Sequence, residues 1–176
     1  MLSVEPLIQS IVAVTLALLF ASAAIHKLRD WSRFRDTLGR YELLPEALVP
    51  ASAALLVSIE IAIVLGVLLP ATRSVAAAGA CILLLLYAAA MSFNLRRGRV
   101  LLDCGCGGFG ERHPLEWWMV RRNVLLAAFS LGAVMPVMER ALGWADLFVV
   151  SCATASLAGL YLAHATLAGN RDFVGR

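Results

Sequence analysis

The sequence predicts an all-α integral membrane bundle of about five transmembrane helices, four being the lower count, plus a short interfacial helix. Three observations predict it. Of the 176 residues, 61% are apolar and only 15% charged, whereas a soluble domain carries about a quarter charged residues. Mean hydropathy is +0.82. The apolar residues also gather into separate runs near the length, about 20 helical residues, that a bilayer core of roughly 30 Å requires. Backbone in lipid must satisfy its own hydrogen bonds, so such runs are helices or barrel strands. Leu, Ala and Val dominate them without the ten-residue alternation of a barrel, which leaves helices.

The first run, Pro6 to Ile25, closes on His26-Lys27. Ala21-Ser22-Ala23 resembles a cleavage site, but a signal peptide carries a basic region ahead of its apolar core. No Lys or Arg precedes Lys27, so the run reads as a retained helix with its N-terminus outside. In the loop from Leu28 to Val49, Trp31, Phe34, Leu38, Tyr41 and Leu44 recur at helical spacing, with Arg33, Asp36 and Arg40 opposite. This is an amphipathic helix, lying either in the membrane interface with Trp31, Phe34 and Leu38 toward lipid or as a connector packed on the bundle. The second run is Ala51 to Leu69, between Pro50 and Pro70, and the third is Ser74 to Phe93, ending at Asn94 and Arg96-Arg97. The fourth, Asn123 to Met138, is short and follows Trp117-Trp118; without it, the topology after it inverts. The fifth is Leu147 to Ala168. No linker, repeat or low-complexity tract divides the chain, so residues 1–176 read as a single domain.

Five crossings place thirteen of the fifteen Lys and Arg residues on one side, leaving Arg73 and Arg140 on the other. The positive-inside rule then puts the N-terminus in the periplasm and the C-terminus in the cytoplasm. The net charge of +3 belongs to loops facing anionic lipid headgroups, not to nucleic-acid binding.

The segment Asp103-Cys104-Gly105-Cys106-Gly107-Gly108-Phe109-Gly110 is the sharpest chemical feature. A disulfide between cysteines one residue apart closes a very small ring, and strained disulfides are the labile, exchangeable kind. Glycine permits the backbone to enter and leave such a ring. Arg99, Arg112 and His113 favour thiolate, while Asp103 opposes it. The leading reading of Cys104 and Cys106 is therefore a redox dithiol. Two others stay open: a soft metal site of Cys104, Cys106 and His113, and an inert glycine-rich turn. Cys81 and Cys152, each about two turns inside the outer end of its helix, form a second candidate pair, or simply pack as small apolar residues. Glu60 sits mid-membrane, where an ionisable group implies function and a partner inside the bundle; a hydrogen bond to another helix is the structural alternative. His26, Asn94 and Asn123 fall near inner helix ends, and Arg122 follows the tryptophan pair. Each is a candidate neighbour of the cysteine loop or a helix–helix hydrogen bond.

Ala24-Ile25-His26-Lys27-Leu28-Arg29-Asp30, then Phe34 with Tyr41-Glu42-Leu43-Leu44-Pro45, Glu60, Asp103-Cys104-Gly105-Cys106-Gly107-Gly108 and Arg122-Asn123 follow one another along the chain. In this order they resemble the methylamine-utilisation protein MauE family, related to DoxX-like membrane proteins. The resemblance implies a role in maturation, processing or transport, including disulfide formation, of the periplasmic methylamine dehydrogenase beta subunit. It also implies a thioredoxin-like (MauD-like) partner. Cys104 and Cys106 are then the working dithiol of a thiol–disulfide relay, with Glu60, Arg122, Asn123 and His26 in support. No resident cofactor or metal is expected, a quinone being the one redox molecule left open. Rival functions are a non-enzymatic scaffold or chaperone for the thioredoxin-like partner and a small transporter using Glu60. The beta subunit matures outside the cytoplasmic membrane whereas the charge count places Cys104 and Cys106 inside; electron relay across the bilayer or a different number of crossings would each join the two.

Overall fold

The computed structural model of the protein describes residues 5–99, 115–135 and 143–174, with side chains on the last helix described as far as Tyr161 and at Ala163. The elements are α1 (Pro6–Arg29), α2 (Trp31–Arg40), a 3₁₀ turn (Glu46–Leu48), α3 (Val49–Leu68), α4 (Arg73–Arg96), α5 (Trp117–Ser130) with a 3₁₀ extension (Leu131–Ala133), and α6 (Trp144–Val174). No strand occurs among the described residues. Four helical stretches, 6–29, 46–68, 73–96 and 144–161, are long and apolar enough to cross a bilayer. This is the multi-pass α-helical membrane bundle that the composition predicts.

Helix boundaries follow from local chemistry. Pro6 and Pro50 open α1 and α3 in their first turns, where the missing N–H leaves no intrahelical bond unmade. His26, Lys27 and Arg29 fill the last turn of α1, where cations complement the helix dipole. Asp30 ends α1, and its side chain accepts from the Arg33 N–H at 3.4 Å to start α2. Leu69 is extended, as the residue before Pro70 must be. The next helix then satisfies the carbonyls this break frees: Thr72 Oγ1 donates to the Gly66 carbonyl at 2.9 Å and Arg73 Nε to that of Val67 at 3.0 Å.

Two levels of the bundle are fixed by polar contacts. At one end Gln9 accepts from Arg73 at 3.1 Å and donates to the carbonyls of Ala133 and Met135 at 3.2 and 3.3 Å. The starts of α1 and α4 and the finish of α5 therefore lie together. At the other end Tyr41, Met91, Leu115 and Met119 form one buried cluster, which joins the end of α2, the end of α4 and the approach to α5. Hence α5 runs from one level to the other, although its 14 residues and three-residue extension reach only about 25 Å. It begins six residues before the apolar run that announces it. Met119, Asn123, Ala127 and Ser130 turn inward, while Arg122 rests against the Trp118 and Tyr161 rings and donates to Tyr161 Oη at 3.1 Å.

The main core joins Val12, Leu16 and Phe20 of α1 to Ile63 and Val67 of α3, Ala77, Ala80 and Leu84 of α4, and Ala127 of α5. Many bulky residues point outward, including Leu55, Leu65, Val75, Ile82, Leu125 and Phe148, as a lipid-facing surface requires. The loop helix is present, but its apolar face turns inward. Phe34, flanked by Trp31 and Leu38, seats on Ala24 of α1 and on Ala53 and Val57 of α3. Of the two readings of this helix, these contacts match the connector packed on the bundle: Phe34 is buried rather than turned to lipid, with Trp31 and Leu38 half-buried beside it. The two alanines leave a shallow seat that a phenyl ring fills, which makes α2 a connector packed on the bundle.

Candidate functional site

Cys104, Cys106, Arg112 and His113 lie outside the described residues, so neither the dithiol nor the alternative thiol–imidazole metal site has a described geometry. The residues on either side do. Arg99 donates to Glu42 at 2.5 Å, and Leu115 is buried with Tyr41, Met91 and Met119. Both flanks thus meet the corner that follows α2, at the end of the bundle opposite Gln9 and Arg73. Glu42 itself has φ of 47°, a left-handed conformation uncommon for a residue with a side chain. Its N–H donates to the Gly39 carbonyl at 3.0 Å, closing the turn after α2. The hydrogen bond from Arg99, with the nearby charges of Arg99 and Arg97, holds the Glu42 carboxyl below its ordinary value. The same hydrogen bond raises Arg99.

The structure assembles a second constellation, inside the bundle. Glu60 of α3 is 0% exposed and Lys27 of α1 only 3%. Lys27 Nζ donates to Glu60 Oε1. Tyr87 Oη of α4 donates to the same oxygen at 2.8 Å and accepts from Lys27 Nζ at 3.1 Å. The ammonium also stands 4.8 Å from the Tyr87 ring centroid and 5.2 Å from that of Phe34, within range for cation–π attraction. Glu60 Oε2 is buried and accepts no hydrogen bond.

Helix geometry explains the meeting. Cα–Cβ bonds tilt toward the N-terminus of their own helix. Lys27, near the end of α1, is therefore aimed back into the bundle. Glu60, on the antiparallel α3, is aimed toward the end where α1 finishes. The expected partner of Glu60 is thus Lys27, together with Tyr87. Sequence reasoning missed both, counting Lys27 among the loop cations. The available signal was its place in the last turn of an apolar helix, three and seven residues after Ala24 and Phe20 on the buried stripe.

The remaining candidates separate. His26 is half-buried, and among the described residues its side chain makes no hydrogen bond. Arg122 is engaged with Trp118 and Tyr161. Asn123 is buried with its Nδ2 unpaired, and Asn94 with its Oδ1 unpaired. The contacts therefore do not gather His26, Arg122 and Asn123 around Glu60. Cys81 and Cys152 are both free thiols. Cys81 packs against the main apolar core, whereas Cys152 is exposed on α6, so they are not joined. No group of three or more His, Cys, Asp or Glu side chains able to hold a metal occurs among the described residues.

Fold and site together define a small multi-pass helical membrane protein with an acid–ammonium–phenol cluster sealed between its helices. The comparisons name the family: the model for methylamine utilisation protein MauE matches residues 5–136, and the chain belongs to that family. It is 39% identical to the methylamine utilization protein MauE of Methylorubrum extorquens over 165 residues, 93% of this chain and 88% of that protein. It is 37% identical to the protein of the same name from Paracoccus versutus, over 94% of this chain and 89% of that one. The Paracoccus denitrificans counterpart is 35% identical over 73% and 69% of the two chains. No solved structure matches.

Proposed function

We propose that this chain is a membrane accessory protein of methylamine utilisation whose Cys104 and Cys106 cycle between dithiol and disulfide during maturation of the methylamine dehydrogenase beta subunit. Its membership of the MauE family supports the pathway. The observation that carries the chemistry is a Cys-Gly-Cys sequence between two anchored flanks, Arg99 on Glu42 and Leu115 among Tyr41, Met91 and Met119. An exchanging dithiol needs ends held where a partner can find them and a middle free to open and close a small ring.

The exchange balances without an external oxidant. The thiolate of one cysteine attacks a disulfide sulfur of the partner; a mixed disulfide forms and one partner thiolate leaves. The second cysteine, as thiolate, attacks the first; the Cys104–Cys106 bond forms and the other partner thiolate leaves. Two electrons pass from this chain to the partner, and the reverse sequence returns them. A thioredoxin-like, MauD-like protein is the proposed partner. The asymmetry of basic residues supports an inner-membrane orientation with the N-terminus periplasmic and the cysteine loop cytoplasmic.

Single Cys104→Ser and Cys106→Ser variants test this. One should accumulate a covalent complex that a reductant releases. The double variant should abolish maturation of the client at normal membrane levels of the protein. Normal maturation by the double variant overturns the dithiol reading and favours a scaffold. In the same single-cysteine variants a membrane-impermeant maleimide should reach the remaining thiol only from the cytoplasmic face; labelling from the periplasm overturns the orientation.

A further inference from the structure

We propose that Lys27, Glu60 and Tyr87 form a proton-binding site inside the bundle, with Glu60 Oε2 as the atom that takes the proton. It stands apart from the thiol chemistry and rests on the described helices alone.

The first argument is the lopsided pairing of the carboxylate. Both donors, Lys27 Nζ and Tyr87 Oη, converge on Oε1. Oε2 is equally buried and accepts nothing. A carboxylate whose only task is to tie two helices is best served by donors on both oxygens, because a buried acceptor without a donor has lost its water for nothing. An O–H bond formed at Oε2 turns an unpaired charged oxygen into a neutral hydroxyl, whose burial costs less, without breaking any contact. Oε1 remains an acceptor for Lys27 and Tyr87, and Tyr87 Oη remains an acceptor for the ammonium.

The second argument concerns what is left after the proton arrives. Neutralising Glu60 leaves Lys27 as an ammonium without a counter-ion, which the membrane interior disfavours. This site provides for that state. Besides two oxygens, the ammonium has the faces of the Phe34 and Tyr87 rings, at 5.2 and 4.8 Å, and ring faces attract a cation whatever the charge on Glu60. Lys27 from α1 and Tyr87 from α4 are the titratable groups that touch Glu60. The side chain that α2 contributes beside Lys27 is Phe34, which does not titrate. The proton is drawn from the bulk solvent, so no further co-reactant is needed.

Infrared difference spectroscopy on the full-length protein in lipid nanodiscs, recorded through reversible pH steps in H₂O and D₂O, tests the site. The expected result is one protonated-carboxyl stretching band that appears on acidification, shifts in D₂O and is lost in Glu60→Gln. Tyr87→Phe keeps the ring and removes the hydrogen bond to Oε1, so the band should persist at a different frequency. A protein that stays folded through the titration without showing such a band overturns the proposal. So does a band that survives Glu60→Gln. Should Glu60→Gln fail to insert, a band at unchanged frequency in Tyr87→Phe overturns it equally.

Discussion

Removing Lys27 should destabilise the bundle far more than removing Lys27 and Glu60 together. The two groups are 3% and 0% exposed, so solvent screens their interaction little. Lys27→Met strands a carboxylate whose remaining donor is Tyr87, and breaking a buried pair from one side costs about 3–5 kcal/mol. Protonation of the stranded acid limits the loss, which places the expectation near the lower figure. Glu60→Met leaves the ammonium with the Tyr87 oxygen and two ring faces, each face worth about 0.5–2 kcal/mol, so its loss should be smaller. The double Lys27→Met/Glu60→Met variant replaces both charges with flexible apolar side chains, a change that is often neutral or stabilising. The double-mutant cycle should therefore return a coupling of at least about 3 kcal/mol, which corresponds to roughly 150-fold or more in the unfolding equilibrium. Unfolding by SDS in mixed micelles, followed by circular dichroism, measures all four proteins. Additive losses, with coupling below about 0.5 kcal/mol, would refute the pairing and the argument that antiparallel helices aim these side chains at each other.

Two further outcomes follow from the fold. A Cβ added at Gly66 meets the Ala76 Cβ at 2.7 Å, so Gly66→Ala should force α3 and α4 apart and destabilise by about 1–3 kcal/mol; adding Ala76→Gly should restore the melting temperature, and an unchanged melting temperature in Gly66→Ala would contradict the close approach. Because the Arg99 hydrogen bond lowers the Glu42 pKa in the folded protein, the tie is present above the ordinary carboxylate value and is lost as pH falls through the lower folded value. A spin label at Leu43→Cys should therefore gain mobility on acidification, and Arg99→Gln should show that mobility already at neutral pH, with no further change on acidification.

The helices were legible because their physics is local. Runs such as Ser74 to Phe93 specify a membrane helix by length and hydropathy, and α4 (Arg73–Arg96) extends that run by one residue at its start and three at its end. The start of α5 was hidden because Trp117-Trp118 and Arg121-Arg122 read as interfacial. Their helical character emerges only from the inward stripe of Met119, Asn123 and Ala127 against α4. The α2 helix was legible from the spacing of Trp31, Phe34 and Leu38, but the direction of that face was not. An aromatic stripe suits lipid and an alanine-lined seat equally, and the seat at Ala24 and Ala53 belongs to helices distant in sequence.

The candidate site shows the same division more sharply. Glu60 announces itself, since a carboxylate within twenty apolar residues has no other explanation than a partner. Its partner does not, because Lys27 sits where a snorkelling cation is ordinary. What decides between a lysine reaching out to headgroups and one reaching inward is the direction of its helix. A lysine in the last turn of a helix leans back toward the bundle interior, whereas one in the first turn leans out. Phe34 then closes over the ammonium from α2. The apolar stripe that looked like a membrane anchor is thus also the cover of the charged cluster. One packing decision at Ala24, Ala53 and Val57 fixes both the position of α2 and the isolation of Lys27 and Glu60 from water.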